Sequence, residues 1–209
     1  MVALPWLKRS GGKPDRTDFV REVLPKNGVG AELGVQHGHF TRQLFDLTAP
    51  VRLHLVDPWY LLGKEWYWEE GRRRSTIAGL QEVLGEFEDE LVSGRAVLEI
   101  GDDLDFLAAI PDRYFDWVYI DSSHDYEHTT RELGLLEAKI KPGGVIAGDD
   151  WIEDPDHGHH GVCRAVKELV SGSRFELVYA NGDDLQWAIR PSAEILPAEL
   201  QARRPAADT

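Results

Sequence analysis

The sequence predicts an α/β fold in which a mostly parallel sheet of seven strands is covered by helices on both faces. Five short apolar runs alternate with segments whose apolar residues recur at helical spacing. This alternation is typical of parallel sheets, because two parallel strands need a crossover connection that is usually a helix. Two more strand-like runs follow near the C-terminus, so we expect the sheet to gain an antiparallel hairpin there.

The elements follow one another in a simple order along the chain. The predicted parallel strands are residues 29–35, 52–59, 95–102, 115–122 and 144–150. The predicted helices are residues 39–49, 76–92, 126–140 and 161–171. Residues 174–190 contain two strand-like runs around an Asn-Gly pair, which is a strong signal for a hairpin turn.

The length and composition fit one domain. A chain of 209 residues with 42% hydrophobic residues can bury a substantial core. Both ends are rich in proline, glycine, alanine and charged residues, which is typical of loose terminal segments. We therefore predict an N-terminal arm at 1–16, a single domain at 17–191 and a C-terminal tail at 192–209.

The charge and cysteine content limit the partners and the compartment. A formal net charge of −14 argues against nucleic acid as a partner, because that affinity depends on lysines and arginines that neutralise phosphates. The single cysteine, Cys163, excludes an internal disulfide and fits a reducing compartment. No apolar stretch reaches membrane-spanning length, and the first residues do not follow the order of a signal peptide. We expect a cytoplasmic protein without a membrane partner, for which a homodimer is compatible with the sequence.

A glycine-containing turn after the first predicted strand indicates a nucleoside site. In "GAELGVQHGHFT", Glu32, Gly34 and Gly38 form the pattern E-x-G-x-x-x-G before a helix, where glycine lets the backbone approach a ligand. An ordinary tight turn would look the same. Asp57 ends the second strand 25 residues after Glu32, near the spacing of about 20 residues at which an acidic side chain binds ribose hydroxyls. The candidate cofactor-binding residues here are Glu32, Gly34, Gly38, Thr41 and Asp57.

The third predicted strand ends in "GDDLDFL", which adds two candidates to the same site. Asp102 or Asp103 could accept a hydrogen bond from an adenine amino group. Each of them could equally cap the N-terminus of a following helix. The sequence leaves both alternatives open.

Acidic residues follow two neighbouring predicted strands, in "YIDSSHDY" and in "GGVIAGDDW". Asp121 comes after the first strand, and Asp149 and Asp150 after the second. Their carboxylates are hard oxygen ligands that suit Mg²⁺ or Mn²⁺, and without a cation they would repel one another. We therefore predict Asp121, Asp149 and Asp150 as metal ligands. The alternative is that Asp149 caps a loop and Asp150 is solvated.

His124 lies three residues after Asp121 and is the candidate general base. A lone histidine is more often a surface-loop residue. In this context, however, a divalent cation that binds a hydroxyl would lower its pKa, and a neutral imidazole nearby could accept the proton. We therefore predict His124 and Asp121 as the catalytic residues.

Taken together, these residues resemble S-adenosylmethionine-dependent methyltransferases of class I, which have a Rossmann-like, seven-stranded sheet. The stretches "AELGVQHGHFT", "LVDPWY", "YIDSSHDYEHTTRELGLLEAKIKPGGVIAGDDW" and "GVCRAVKEL" are similar to small metal-dependent O-methyltransferases. Those enzymes act on sugars of macrolide and aminocoumarin antibiotics and of methylmannose polysaccharides. The resemblance covers roughly residues 28 to 190. The glycine turn departs from the usual pattern, because residues 35–37 lack the extra mid-turn glycine.

The resemblance implies S-adenosyl-L-methionine and Mg²⁺ as cofactors and methyl transfer to a hydroxyl of a small-molecule or oligosaccharide substrate. It also implies a metal-ligand role for Asp121, Asp149 and Asp150. Three alternatives stay open: a catechol-like or other small aromatic hydroxyl as acceptor, a non-catalytic nucleoside-binding module, and an NAD dehydrogenase. The last is the weakest, because the acid pair at 149–150 has no function beside a nicotinamide.

Two loops are candidates for choosing and covering the substrate. Residues 59–75 contain five aromatic residues and three consecutive arginines, which would suit a carbohydrate ring or, at helical spacing, a packed core. Residues 154–161, "DPDHGHHG", follow the second acidic site and could cover it as a lid. Their three histidines also permit a zinc site, which we rank below a polar loop because no cysteine or fixed spacing supports it.

Overall fold

A computed structural model of the chain describes residues 15–59 and 77–192. Its seven strands form one sheet in the order β3-β2-β1-β4-β5-β7-β6. The first five strands are parallel, and β7 pairs antiparallel with both β5 and β6. The predicted fold is thus confirmed. The strands are β1 Val29–Leu33, β2 Arg52–Asp57, β3 Ala96–Ile100, β4 Phe115–Ile120, β5 Ile140–Gly148, β6 Phe175–Asn181 and β7 Gln186–Pro191.

The helices differ from the prediction at three points. The helix predicted at 76–92 is two helices, because Phe87 has non-helical dihedrals and its side chain is buried. A helix that begins at Arg16 and another that begins at Asp103 were not predicted, because they are short, with 8 and 7 residues. The helices are α1 Arg16–Val23, α2 His39–Thr48, α3 Ile77–Glu86, α4 Glu88–Val92, α5 Asp103–Ala109, α6 Tyr126–Lys139 and α7 His160–Ser171.

Helices cover both faces of the sheet, and each face has its own apolar core. Phe19, Phe45 and Val83 from α1, α2 and α3 pack with Tyr119 of β4 on one face. On the other face, residues of α5, α6 and α7 pack with Ile120, which follows Tyr119 in β4. Successive residues of a strand point to opposite faces, so β4 contributes to both cores. Within residues 15–59 and 77–192, no helix is long and apolar enough to cross a membrane.

The strand register brings the candidate residues to one edge of the sheet. Strands β1 and β4 are neighbours at the point where the strand order reverses, which is where open α/β sheets bind ligands. Ile120 pairs with Leu33 on one side and with Gly148 on the other. The next residues of the three chain segments are therefore adjacent: Gly34, Asp121 and Asp149.

Candidate active site

Both glycines of the turn after β1 lie where a side chain would collide with neighbouring atoms. Gly34 has a φ of +90°, and a Cβ atom on it would lie 2.0 Å from the backbone oxygen of Asp121. Gly38 precedes α2 with a φ of +77°, and a Cβ there would lie 2.9 Å from the Phe87 ring. Side chains are disfavoured in this left-handed region. In this structure the space beside Gly34 is filled by the backbone at the end of β4. The predicted approach of the turn to a ligand stays a prediction.

Asp57 lies beside this turn, at the end of β2, and its carboxylate accepts three backbone N–H groups. Oδ2 accepts from Val35 at 3.1 Å and from Gln36 at 2.9 Å, and Oδ1 accepts from Trp59 at 2.8 Å. The residue is only 3% exposed. Asp57 thus fixes the turn in this structure, and a ribose hydroxyl would have to share these oxygens.

Glu32 is buried beneath the turn. Its Oε2 accepts a hydrogen bond of 2.5 Å from Thr41 Oγ1, and both residues are almost fully buried. Burial raises the pKa of Glu32 to about 8, because a charged carboxylate is poorly solvated there. Glu32 and Thr41 therefore link β1 to α2 from within, and both lie too deep to present a polar surface to a ligand.

The structure gives Asp102 and Asp103 different partners. Asp102 is the N-cap of α5 and accepts from the backbone N–H groups of Leu104 and Asp105. Asp103 instead lies 2.7 Å from Nε2 of His128 in α6. This contact raises the pKa of His128 to about 9, so the imidazole is charged at neutral pH. The helix-cap alternative therefore describes Asp102, whereas Asp103 forms an ion pair.

His128 also joins a buried carboxylate that was not predicted from the sequence. Its Nε2 lies 3.9 Å from Glu132, which is fully buried and accepts a hydrogen bond from Ser122 Oγ at 2.6 Å. Burial raises the pKa of Glu132 well above its ordinary value. The loop after β4 is thus connected with the start of α5 by successive contacts between Ser122, Glu132, His128 and Asp103.

Asp121, Asp149 and Asp150, at the ends of β4 and β5, form what we call the acidic edge. It contains a cation that was not predicted from the sequence. Arg16, the first residue of α1, donates from Nη2 to Asp121 at 2.5 Å, and the same nitrogen lies 3.6 Å from Asp149. Its Nε donates to the hydroxyl of Tyr119 at 2.7 Å, and its guanidinium lies 3.6 Å from the centre of the Phe40 ring. No sequence pattern distinguishes Arg16 from the other charged residues near the N-terminus.

Asp149 is held from the other side by β7. Gln186 donates from Nε2 to its Oδ1 at 2.7 Å, and Trp187 donates from Nε1 to its backbone oxygen at 2.7 Å. Burial raises the pKa of Asp149 to about 6, although Arg16 opposes this shift. Gln186 also accepts from the Tyr119 hydroxyl at 2.6 Å, so it connects Asp149 with the contacts of Arg16. Gln186 was not predicted, because it begins a strand that looked purely structural.

Asp150 faces two histidines rather than the other carboxylates. Its Oδ2 contacts Nδ1 of His124 and lies 3.0 Å from Nδ1 of His159. The two imidazole rings are stacked, with centroids 4.8 Å apart and planes 10° from parallel. Burial raises the pKa of Asp150, but the contacts with both histidines outweigh burial and lower it overall. His124, the predicted base, therefore lies beside the acidic edge, with Nε2 3.9 Å from Asp121.

The predicted Mg²⁺ ligands do not converge in this arrangement. In the described parts of the chain, two groups place three ligand atoms within 4.8 Å of one another, and neither contains Asp121 or Asp149. One is His124, Asp150 and His159, and the other is Asp103, His128 and Glu132. The cation that the three carboxylates were expected to need is supplied at two of them by Arg16. As arranged, the three aspartates do not fit one octahedral oxygen site.

The two predicted substrate loops have different outcomes. Apart from Trp59, the aromatic and arginine-rich segment lies outside the described residues. Trp59 is fully buried and donates from Nε1 to the backbone oxygen of Gln36. In the histidine-rich loop, His159 reaches Asp150, whereas His157 is exposed and His160 contacts the backbone oxygen of Ile152. The loop therefore contributes one side chain to the acidic edge.

Comparison with protein families shows which family the chain matches. The model described as "Methyltransferase domain" matches residues 31–151, which is more than half of the chain. The matched region contains every site residue predicted from the sequence, but neither Arg16 nor His159 nor Gln186. A comparison with curated protein sequences gives no match.

Solved structures share the fold at low sequence identity. An rRNA methylase from Streptococcus thermophilus has a TM-score of 0.55 and 16% identity, over 84% of this chain and 93% of that chain. The SAH-bound methyltransferase PaMTH1 from Podospora anserina has a TM-score of 0.56 and 13% identity, over 78% and 71%. The O-methyltransferase TomG from Streptomyces achromogenes, which takes part in tomaymycin synthesis and was solved with SAM, has a TM-score of 0.51 and 20% identity, over 79% and 74%.

Proposed function

The chain belongs to the methyltransferase-domain family, and from this premise we propose that it transfers a methyl group from S-adenosyl-L-methionine to a hydroxyl of a sugar or glycoside, such as a mannoside. The observation that carries the O-methyl transfer is the contact between His124 and Asp150, next to Asp121 at the ends of β4 and β5. The sugar acceptor is supported by the resemblance of the motifs around these residues.

The proposed chemistry needs a group that accepts a proton from the acceptor hydroxyl. Asp150 contacts Nδ1 of His124, which favours the tautomer that carries its proton on Nδ1. Nε2 is then the nitrogen that accepts the proton, and it is the nitrogen on the side of Asp121. As the hydroxyl oxygen bonds to the methyl carbon, the bond between carbon and sulfur breaks and S-adenosylhomocysteine leaves.

The cofactor side of the proposal uses the turn after β1 and the ends of β2 and β3. S-adenosyl-L-methionine would lie across the edge where β1 and β4 are neighbours. Glu32, Thr41 and Asp57 would keep the turn in place, and Asp57, Asp102 and Asp103 stay candidates for polar contacts with the nucleoside. That PaMTH1 and TomG, which share the fold, were solved with SAH and SAM supports S-adenosyl-L-methionine as the methyl donor.

Mg²⁺ or Mn²⁺ belongs to the proposal as a second cofactor that the motif resemblance favours. The three aspartates have the required oxygen chemistry, but in the described arrangement they do not converge, and Arg16 engages two of them. We propose a small-molecule or oligosaccharide acceptor and neither nucleic acid nor a membrane as partner, because a net charge of −14 disfavours polyanions. A homodimer is compatible with this proposal.

The proposal is tested by the products that the protein forms from S-adenosyl-L-methionine and a panel of mannosides, rhamnosides and catechols. We expect mass spectrometry to find one added methyl group on a sugar hydroxyl, and none in reactions with the His124→Asn variant. Methylation restricted to catechols would replace the sugar by an aromatic acceptor. Cofactor binding without methyl transfer to any of these acceptors would instead favour the non-catalytic nucleoside-binding module.

A further inference from the structure

A largely buried cluster between α5 and α6, away from the acidic edge, has side chains that can bind a transition metal. It consists of Asp103 at the start of α5 and of His128 and Glu132 in α6, and we call it the α5–α6 cluster. His128 and Glu132 are four positions apart, so they lie on the same face of the helix. One ligand atom from each of the three residues lies within 4.8 Å of the other two.

Glu132 distinguishes this cluster from a simple ion pair. Its side chain is fully buried, and its Oε1 accepts a hydrogen bond from Ser122 Oγ at 2.6 Å. Its other oxygen, Oε2, is buried without a hydrogen-bond partner among the residues that the structure describes. Burial raises the pKa of Glu132, and the nearby Asp103 carboxylate raises it further. A buried polar oxygen without a partner is costly, and a cation bound to it would remove that cost.

The charges of the cluster balance both with and without an ion. In the described state His128 is charged, because its hydrogen bond to Asp103 raises its pKa to about 9, and burial favours the protonated form of Glu132. Asp102 adds a further negative charge nearby. A divalent cation that replaces the protons of His128 and Glu132 leaves the total charge unchanged. Ion binding would therefore release both protons without creating an uncompensated buried charge.

We propose that Asp103, His128 and Glu132 form a binding site for Zn²⁺. Zinc accepts an imidazole nitrogen together with carboxylate oxygens, whereas Mg²⁺ prefers oxygen ligands alone. Three protein ligands leave a further position for water, and the partial exposure of the His128 and Asp103 side chains, 20% and 12%, gives an ion access from solvent. The proposal concerns ion binding and does not depend on methyl transfer, so either can fail while the other holds.

The test is Zn²⁺ binding by the whole chain, measured by competition with a chromophoric chelator in excess Mg²⁺, without methyl donor or acceptor. The Mg²⁺ occupies any site that consists of oxygen ligands alone. We expect the wild type to bind Zn²⁺ and Glu132→Gln to bind it roughly a hundredfold more weakly. Glutamine has the shape of the protonated acid and still accepts from Ser122, so the fold is kept. Glu127→Gln, an exposed position on the same helix, is the matched control and should bind like the wild type.

Two histidine variants locate the ion. His128→Gln should lose the same Zn²⁺ ion, whereas His159→Asn, which removes a histidine of the other described cluster, should keep it. Wild-type Zn²⁺ affinity in Glu132→Gln or in His128→Gln overturns the proposal. No Zn²⁺ binding by the wild type, or loss of all binding in His159→Asn, also overturns it. Circular dichroism checks the fold of each variant, and if Glu132→Gln does not fold, His128→Gln decides.

Discussion

The nucleoside side and the acidic edge of the candidate site hold their carboxylates in opposite ways. On the nucleoside side, Asp57 and Asp102 accept hydrogen bonds from backbone N–H groups. At the acidic edge, Asp121, Asp149 and Asp150 contact side chains that come from other segments of the chain.

The carboxylates of the first kind, which accept from backbone N–H groups, form a fixed frame. Those of the second kind, which contact side chains, have exchangeable partners. A backbone donor left without its acceptor in a buried position costs stability, so carboxylates of the first kind belong to the fold. A side chain can rotate away, so carboxylates of the second kind can change partners during a reaction cycle. Substitutions on the nucleoside side should therefore affect stability first, and those at the acidic edge should affect chemistry first.

Asp57→Ala should have the largest effect, because it removes the acceptor of three backbone N–H groups. At about 1–3 kcal/mol for each unsatisfied buried donor, we expect a loss of roughly 3–9 kcal/mol in the free energy of unfolding. Thermal and urea denaturation measure it. Asp57→Asn keeps part of the acceptor capacity, and calorimetry with S-adenosylhomocysteine on that variant tests the predicted ribose contact. Unchanged stability in Asp57→Ala would contradict the assignment of Asp57 to the frame.

The His124→Asn variant should behave in the opposite way. Its free energy of unfolding should stay the same, and its turnover should fall. His124 has a φ of 61°, which asparagine tolerates better than alanine does, so the backbone is preserved. We expect turnover to fall by about 10²–10⁴-fold, as for the loss of a general base, with cofactor affinity unchanged. His157→Asn is the control from the exposed part of the neighbouring loop. Near wild-type turnover in His124→Asn would exclude the histidine as the base.

Glu32 should make stability depend on pH, because its pKa is about 8 in the folded protein against 4.5 as its ordinary value. Between these values the folded state keeps a proton that the unfolded state has lost, so the free energy of unfolding falls as pH rises. The decrease is on the order of 5 kcal/mol across the window.

Glu32→Gln lacks this titration and serves as the reference. We expect the wild type to lose stability relative to Glu32→Gln as pH rises from 5 to about 9. Asp149, whose pKa is also raised, is present in both proteins and cancels in the difference. Thermal melting of the two proteins at several pH values measures the gap, and a constant gap would show that Glu32 does not titrate in this range.

Asp102→Ala should have the smallest effect, because it removes only a helix cap. A loss of about 1 kcal/mol in the free energy of unfolding is typical of such a change. Asp105→Ala is the matched control, since Asp105 lies in the first turn of the same helix without capping it. Affinity for S-adenosylhomocysteine should stay constant in both variants. A selective loss of affinity in Asp102→Ala would assign Asp102 to the adenine.

The fold could be predicted because its signals are local. The five parallel strands are short runs in which most residues are apolar, and the Asn-Gly pair marks the hairpin between β6 and β7. The errors in the predicted helices also have local causes. Phe87 interrupts a helical pattern that its own apolar character seemed to continue, and α1 buries only Phe19 and Val20. Too few apolar residues mark α1 as a helix.

The site could be predicted only in part. The strand ends identified Asp121, His124, Asp149 and Asp150, because residues that follow parallel strands meet at one edge. Their partners could not be predicted, since Arg16 lies 105 positions from Asp121 and Gln186 lies 37 from Asp149. Nothing in the sequence pattern encodes which distant side chain fills the space between two carboxylates, and this is why a metal was expected where the structure has an arginine.

The position of β7 has a consequence for how the protein matures during synthesis. Asp149 is fixed by Gln186 and Trp187, which lie on a strand inserted between β5 and β6. A nascent chain that has just completed the five parallel strands therefore still lacks the groups that orient this aspartate. Such long-range contacts form slowly, so the domain can fold progressively from its N-terminal side while the acidic edge stays incomplete. Competence for the reaction would then arise in a single late step, when the ribosome releases the segment that contains residues 186 and 187.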